Sequence, residues 1–282
     1  MVYKRGMVFL RTSEPIETNQ KGFIARDRKI SIIIPVWNEV CRLREGVYKL
    51  KRFLKKFDLD FEIIISEDGS TDGTDQIASE LANSTVNIKH LHSDERLGKG
   101  KAVQRALRRA KGEIAIYTDV DLSTKLESMI KIIQAVRDGA DIAIGSRLVK
   151  GSCVIRPFHR TIISRIYNLG VRMILRSPVH DHQCGFKAFR TSKVSSLLDA
   201  IEDNHWFWDT ELIVRAIRRD YRIVEIPVKW IQGEKSKIHV WTDSGYMATK
   251  IFRLWRKLRT RKKTLREYKP SSDLEDTDPF FR

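Results

Sequence analysis

From Ile30 onward, short runs rich in β-branched residues alternate with longer amphipathic stretches, and no other feature narrows the accessible folds as much. A strand written as a continuous apolar run is buried on both faces, and an intervening helix returns the chain to a parallel neighbour. Runs at 30–34, 61–65, 86–91, 114–117 and 142–144 predict strands, and 39–57, 74–83, 99–111 and 126–138 predict helices, the last closed by Gly139 as a C-cap. The expected class is α/β, a doubly wound, mostly parallel sheet. After Gly145 the rhythm breaks. A helix near 160–175, an irregular segment over 184–190, a helix near 209–219, a strand near 222–227 and a basic helix over 241–269 are expected. Residues 1–29 and the acidic, turn-rich 270–282 read as tails, the latter disordered.

Charge and cysteine content narrow the partners. The 282 residues carry 53 Lys and Arg against 36 Asp and Glu, a net +17, and +9 of it lies in 246–269. Such a stripe suits an anionic membrane surface; a nucleic-acid partner is not expected, because the predicted strands carry no platform of alternating aromatic and basic residues. Met247, Ile251, Leu254, Trp255 and Leu258 recur at helical spacing within the basic stripe, the pattern of an interfacial amphipathic helix. The competing reading packs that apolar stripe on the rest of the protein. No apolar run reaches the roughly 18 residues that cross a bilayer, and the short 7–10 run is no secretory signal, so a cytoplasmic, peripheral location is expected. Cys41, Cys153 and Cys184 form no C-x-x-C pair and suggest neither a disulfide framework nor a zinc knuckle.

In an open α/β sheet ligands bind beyond the carboxyl ends of the strands, and here those loops read PVWNE, SEDGSTDGT, TDVDLST and GSR. Six acid-x-acid pairs occur against about five expected by chance, so only position distinguishes one. Asp119 and Asp121 directly follow a strand, where both carboxylates can serve one hard cation; the alternative is a solvated turn capped by Ser123 or Thr124. Glu67 and Asp68, if buried, need donors, and a nucleobase N–H or ribose hydroxyl would serve. Around Gly98, GKGKAV lacks the earlier Gly and the Ser/Thr of a P-loop, leaving Lys99 as a phosphate contact. His180, His182 and Cys184 alternate but lack a fourth ligand at suitable spacing. Trp206, Phe207 and Trp208 suit either the core or a sugar or lipid site.

The ordered series PVWNE, EDGSTDGT, GKGKAV, DVDLST, GSR, RTIISRIYN, DHQCGFKAFR, WFWDTEL and PVKWIQGEKSK resembles family 2 inverting glycosyltransferases of the GT-A fold, over about 30–259. Within them it is most similar to the polyprenyl-phosphate branch of dolichyl-phosphate glucosyltransferases and mannose synthases. The resemblance implies a GT-A domain over 30–240, a nucleotide-sugar donor, Mg2+ or Mn2+, and a polyprenyl or dolichyl phosphate acceptor. By position it assigns Pro35, Trp37, Glu39, Asp68, Lys99 and Asp119 to the nucleotide sugar, and Asp119 and Asp121 to the metal. Arg147, Arg160, Ser164 and Lys237 go to the acceptor; Asp121, Arg147, Arg160 and Ser164 form the catalytic set. Trp37 stands where Tyr or Phe is usual, Glu67 where Asp is usual, and Ser123 where mannose synthases carry a metal-binding Gln. DLST and QCGFK are nearer the glucosyl branch, so UDP-glucose is favoured over GDP-mannose. A sugar hydroxyl as acceptor would require a base, for which Asp209 or Glu211 is available. Membrane attachment is expected through the basic helix at the cytoplasmic face, or otherwise through a membrane-spanning partner.

Overall fold

A computed structural model describes the backbone of residues 29–233 and 240–267, and side chains over 29–233 and 245–259. Lys237 and nearly all of both expected tails lie outside those residues. The chain alternates β1 (Ile30–Val36), α1 (Val40–Lys56), β2 (Phe61–Glu67), α2 (Thr74–Asn83), β3 (Ile88–Leu91), α3 (Lys99–Arg109), β4 (Ile114–Thr118), α4 (Glu127–Arg137) and β5 (Ile142–Ser146). There follow β6 (Cys153–Ile155), α5 (Phe158–Leu175), β7 (Phe186–Arg190), α6 (Thr191–Leu198), α7 (Trp208–Ile217), β8 (Ile223–Pro227), β9 (Lys229–Ile231) and α8 (Val240–Glu267).

Seven strands form one sheet in the order β3-β2-β1-β4-β7-β5-β8, parallel except for β7. Ile30, Ile32 and Ile34 of β1 face one layer with α1, α2 and α4, while Ile33 faces the other with α3, α6 and α7. Burial of both faces is why these strands read as unbroken apolar runs. Gly139, at φ 99°, closes α4 as expected.

The segment expected to be irregular over 184–190 is instead strand β7, antiparallel between β4 and β5. Its apolar pattern is interrupted by Lys187, whose side chain is fully buried, paired with Asp209 at 2.9 Å and bonded to the Cys184 carbonyl. A lysine tolerated at the centre of a sheet because it is paired hides the strand from a hydropathy reading. Helix α6 and the β6–β9 ribbon were likewise not foreseen.

The apolar stripe of α8 does not face outward. Met247, Ile251 and Leu254 are buried against Val171 and Leu175 of α5 and Phe207 and Val214 at α7, with Trp255 and Leu258 half-covered. The helix is also tied down by charge: Tyr246 donates to Asp203 at 2.6 Å, Lys250 pairs with Asp203 at 2.8 Å, and Lys257 pairs with Glu202. The exposed apolar face belongs to α5, where Phe158, Ile162, Ile166, Leu169 and Met173 repeat at helical spacing and are 42–78% exposed. No helix among the described residues is long and apolar enough to cross a membrane. Because Ile251 is packed, Ile251→Ala should cost about 2–4 kcal/mol in urea unfolding without lipid, and Phe252→Ala, 59% exposed, under about 1 kcal/mol. Equal, negligible costs would show the stripe to be unpacked in solution.

Candidate active site

The carboxyl ends of β1, β2 and β4, with α5 and α8, enclose a cavity of about 730 Å3. Pro35, Trp37, Glu39, Asp68, Lys99, Asp119, Asp121, Arg147, Arg160 and Ser164 all line it, so the sheet gathers every described residue of the expected site.

At the β1–β2 end, the Asp68 carboxylate accepts from the Leu97 and Gly98 amides, each at 2.9 Å. The buried Glu67 accepts from the Ser70 amide and contacts His92 at 2.7 Å. The donors expected from a nucleobase are thus supplied by the protein, and Asp68 instead fixes the loop that carries Lys99. Gly98 adopts φ 105°, and a Cβ there would meet the Asn204 carbonyl at 2.4 Å, so the turn requires glycine. Arg96, not foreseen, stacks on Trp37 with its guanidinium 3.4 Å from the ring centroid.

At the end of β4, Asp119 contacts Lys99 at 2.7 Å. Burial opposes charge on Lys99, but Asp119, Asp209 and Asp121 outweigh it and raise its pKa. Asp121 accepts from the Ser123 amide at 3.0 Å and hydroxyl at 2.6 Å in a local turn, so Ser123 does not supply the helix cap of the alternative reading, and the Asp121 carboxylate lines the cavity. Gly185 backs the pair: a Cβ there would fall 2.2 Å from Asp119 Oδ2. Two oxygen-only side chains on one wall are a donor set that suits a hard divalent cation.

Of the two alternative bases, only Asp209 lines the cavity. Burial raises its pKa despite the Lys187 pairing. Glu211 is unsuited, because Arg215 at 2.6 Å and the Glu202 and Asp203 amides occupy its carboxylate outside this cavity.

The third zone is cationic. Arg147 is pinned by a two-toothed contact with the fully buried Asp181, both at 2.8 Å, and Asp181 also accepts from the Arg147 amide at 2.9 Å. Burial opposes ionisation of Asp181, but Arg147 prevails and holds its pKa down to about 2. Beside it stands Arg156, which sequence reasoning missed. Its Nε donates to Thr161 at 3.0 Å, while its Nη2 is buried without a partner. Burial, then the neighbouring Arg147, lower its pKa to about 10, leaving it charged at neutral pH. The Ser164 hydroxyl is also buried without a partner, and the Arg160 guanidinium, as distinct from its amide, which donates to the Pro157 carbonyl, has none among the described residues. From these groups the cavity continues along an apolar trough between α5 and α8, lined by Ile163, Ile166, Gly170, Ile174, Met247 and Phe252.

His180, His182 and Cys184 do not converge on a metal. His182 is buried between Asn168 and Ser177, each at 2.8 Å, and His180 contacts Glu225 at 2.8 Å. Burial pushes the Cys184 thiol up to about 12. Burial also lowers His182 to about 3, so the folded protein excludes a proton that the unfolded chain accepts below about 6.5. Stability is therefore complete above about pH 6.5 and falls toward pH 3, by at most about 1.4 kcal/mol per pH unit from this one group. Asp181 adds its own loss only below about pH 4. Urea unfolding of His182→Gln between pH 6 and 4 should lose close to one proton of that dependence; an unchanged slope would refute the assignment.

Over residues 31–198 the chain matches the family described as Glycosyl transferase family 2. Glycosyltransferase AglD of Haloferax volcanii is 40% identical over 255 residues, 89% of this chain and 41% of the relative, so the chain spans less than half of that protein. A dolichyl-phosphate beta-glucosyltransferase of Trichomonas vaginalis is 34% identical over 226 residues, 74% of this chain and 68% of the relative. The solved structure of glucosyl-3-phosphoglycerate synthase from Mycobacterium tuberculosis, in complex with Mn2+, UDP and phosphoglyceric acid, is similar in fold, with a TM-score of 0.61. That match has 18% identity and covers 81% of this chain and 77% of the other. The GT-A architecture expected from the sequence is the one observed. With the match running from β1 to the end of α6, the chain belongs to glycosyl transferase family 2.

Proposed function

We propose that this protein transfers a hexose from a nucleotide sugar to a polyprenyl phosphate, with inversion. The observation that carries the reading is the pairing of a donor cluster, Arg156 with its unpartnered Nη2, the Arg160 guanidinium and the neutral Ser164 hydroxyl, with an apolar trough lined by α5 and α8. A ligand filling both must carry a compact anion on a long apolar tail. A phosphate monoester is also a competent nucleophile near pH 7, because its second pKa is about 6. It needs orientation by guanidinium groups more than a strong base. Arg147, immobilised by Asp181, gives the anion a fixed charge to dock against. Asp209 is paired with Lys187, which makes a hydroxyl acceptor with Asp209 as base the weaker reading.

Asp119 and Asp121 would hold Mg2+ or Mn2+, which when bound would neutralise charge on the departing nucleoside diphosphate. Lys99, charged and beside Asp119, would add a further cation for that diphosphate. Pro35, Trp37, Glu39 and the Asp68-held loop would enclose the nucleoside. UDP-glucose is the favoured donor, on the wording of DLST and QCGFK and the likeness to a dolichyl-phosphate beta-glucosyltransferase; GDP-mannose is the alternative. Contact with the cytoplasmic face of a membrane is proposed through the exposed face of α5, since α8 spends its stripe on packing.

The test is incubation with several nucleotide sugars and a polyprenyl phosphate, with the lipid product weighed by mass spectrometry. A hexosyl-phosphoprenol formed from UDP-glucose and abolished by chelator is expected. In the same assay Arg160→Lys should raise the KM for lipid phosphate about tenfold with UDP affinity unchanged, because lysine cannot reproduce the guanidinium fork. Absence of lipid product with every donor would overturn the reading.

Gly185→Ala tests the placement of Asp119. Displacing that carboxylate should lower kcat/KM about 100-fold, in line with the cost of an ångström of misplacement. Activity near that of the parent protein would separate Asp119 from the reaction.

A further inference from the structure

We propose that Glu67, His90 and His92 form a second cation site, separate from Asp119 and Asp121, that takes Zn2+. Strands β2 and β3 run parallel with Ile65 opposite His90 and Ser66 opposite Leu91, which sets Glu67 beside His92. His90 and His92, two apart on an extended segment, point to one side. One ligand atom from each of the three residues lies within 4.8 Å of the others. Tetrahedral zinc with bonds near 2.0–2.1 Å needs separations of about 3.3 Å, within reach of small side-chain rotations.

An ordinary ion pair accounts for only part of this cluster. His92 Nδ1 meets Glu67 at 2.7 Å, but that contact leaves His90 unexplained, because its Nε2 is buried with no hydrogen-bond partner. A buried imidazole nitrogen without a partner is costly, and a metal would satisfy it. Glu67 is a fully buried carboxylate whose other bonded donor is the Ser70 amide. Asp75 of α2 adds negative potential at His90. Arg105 donates to the His92 carbonyl and not to the three ligating side chains.

The outer contacts also have the form of a metal site. His92 Nε2 meets Asp94 at 3.2 Å, leaving Nδ1 toward Glu67, the carboxylate–histidine arrangement that orients metal-bound imidazoles. His92 is 47% exposed, which provides an entry path and room for a water as fourth ligand. Two imidazoles and one carboxylate form a borderline donor set that prefers Zn2+ to Mg2+, whereas the oxygen-only Asp119–Asp121 pair has the opposite preference. None of the three residues lines the large cavity. Zinc here would tie the end of β3 to the loop after β2, which carries Asp68 and Ser70.

The test uses the full chain with Co2+ as a spectroscopic probe. Wild-type protein should develop the intense visible absorption of four- or five-coordinate Co2+, and one equivalent of Zn2+ should bleach it. His90→Gln and His92→Gln should each weaken Zn2+ by at least about tenfold in competition with a chelator. The double variant Asp119→Asn, Asp121→Asn should leave the signal intact. Only the pale absorption of six-coordinate Co2+ in the wild-type protein would overturn the site. So would a signal that survives both histidine variants or disappears with the aspartate variant.

Discussion

The buried ion pair between Asp181 and Arg147 organises the cationic half of the cavity. Asp181 is wholly buried, takes two guanidinium contacts and the amides of Arg147 and Gln183, and is itself held by Glu225 of β8, which accepts from its amide at 3.0 Å. A buried pair contributes little net stability, but removing one member strands the other charge at a cost of about 3–5 kcal/mol. Its value here is position. Arg147 cannot swing away, and Arg156 lies close enough to feel its charge, an arrangement that an arriving anion would relieve. The HDHQC segment, which has the look of a ligand cluster, is the scaffold of this pair.

The second constraint is where the apolar surface goes. Helix α8 spends its stripe on α5 and α7, and Lys250 and Lys257 on Asp203 and Glu202. That packing forms one wall of the trough and leaves α5 exposing Phe158, Ile162, Ile166, Leu169 and Met173 beside it. The same two helices therefore line the apolar trough and carry the exposed apolar surface beside it. Under the proposed function, a lipid acceptor would enter from a membrane on that side without its tail crossing water.

Much of this was legible in the sequence, for identifiable reasons. Strands β1, β2, β4 and β5 are buried on both faces, and continuous apolar runs leave little ambiguity. Asp119 and Asp121 stood out by position, since chance alone explains the number of such pairs. Strand β7 was hidden by Lys187, whose partner Asp209 is distant in sequence. Which of the two readings of the α8 stripe holds was not legible, because periodicity identifies an apolar face without saying what covers it. Arg156 was overlooked because Pro157 separates it from α5 and removes the helical spacing that relates it to Arg160. The partners of Asp68 are backbone amides, which no residue pattern announces.

On the proposed function, one cavity recognises a phosphate and a prenyl tail together. Calorimetry comparing a short-chain prenyl phosphate with the prenol of the same length, on wild-type protein and Arg156→Gln, tests it most directly. The phosphate should bind at least about 100-fold more tightly, charge-assisted bonds to several donors contributing about 1.5–3 kcal/mol each. Arg156→Gln should remove at least a tenfold share of that advantage. Equal affinity for phosphate and alcohol, or an advantage indifferent to Arg156, would contradict it.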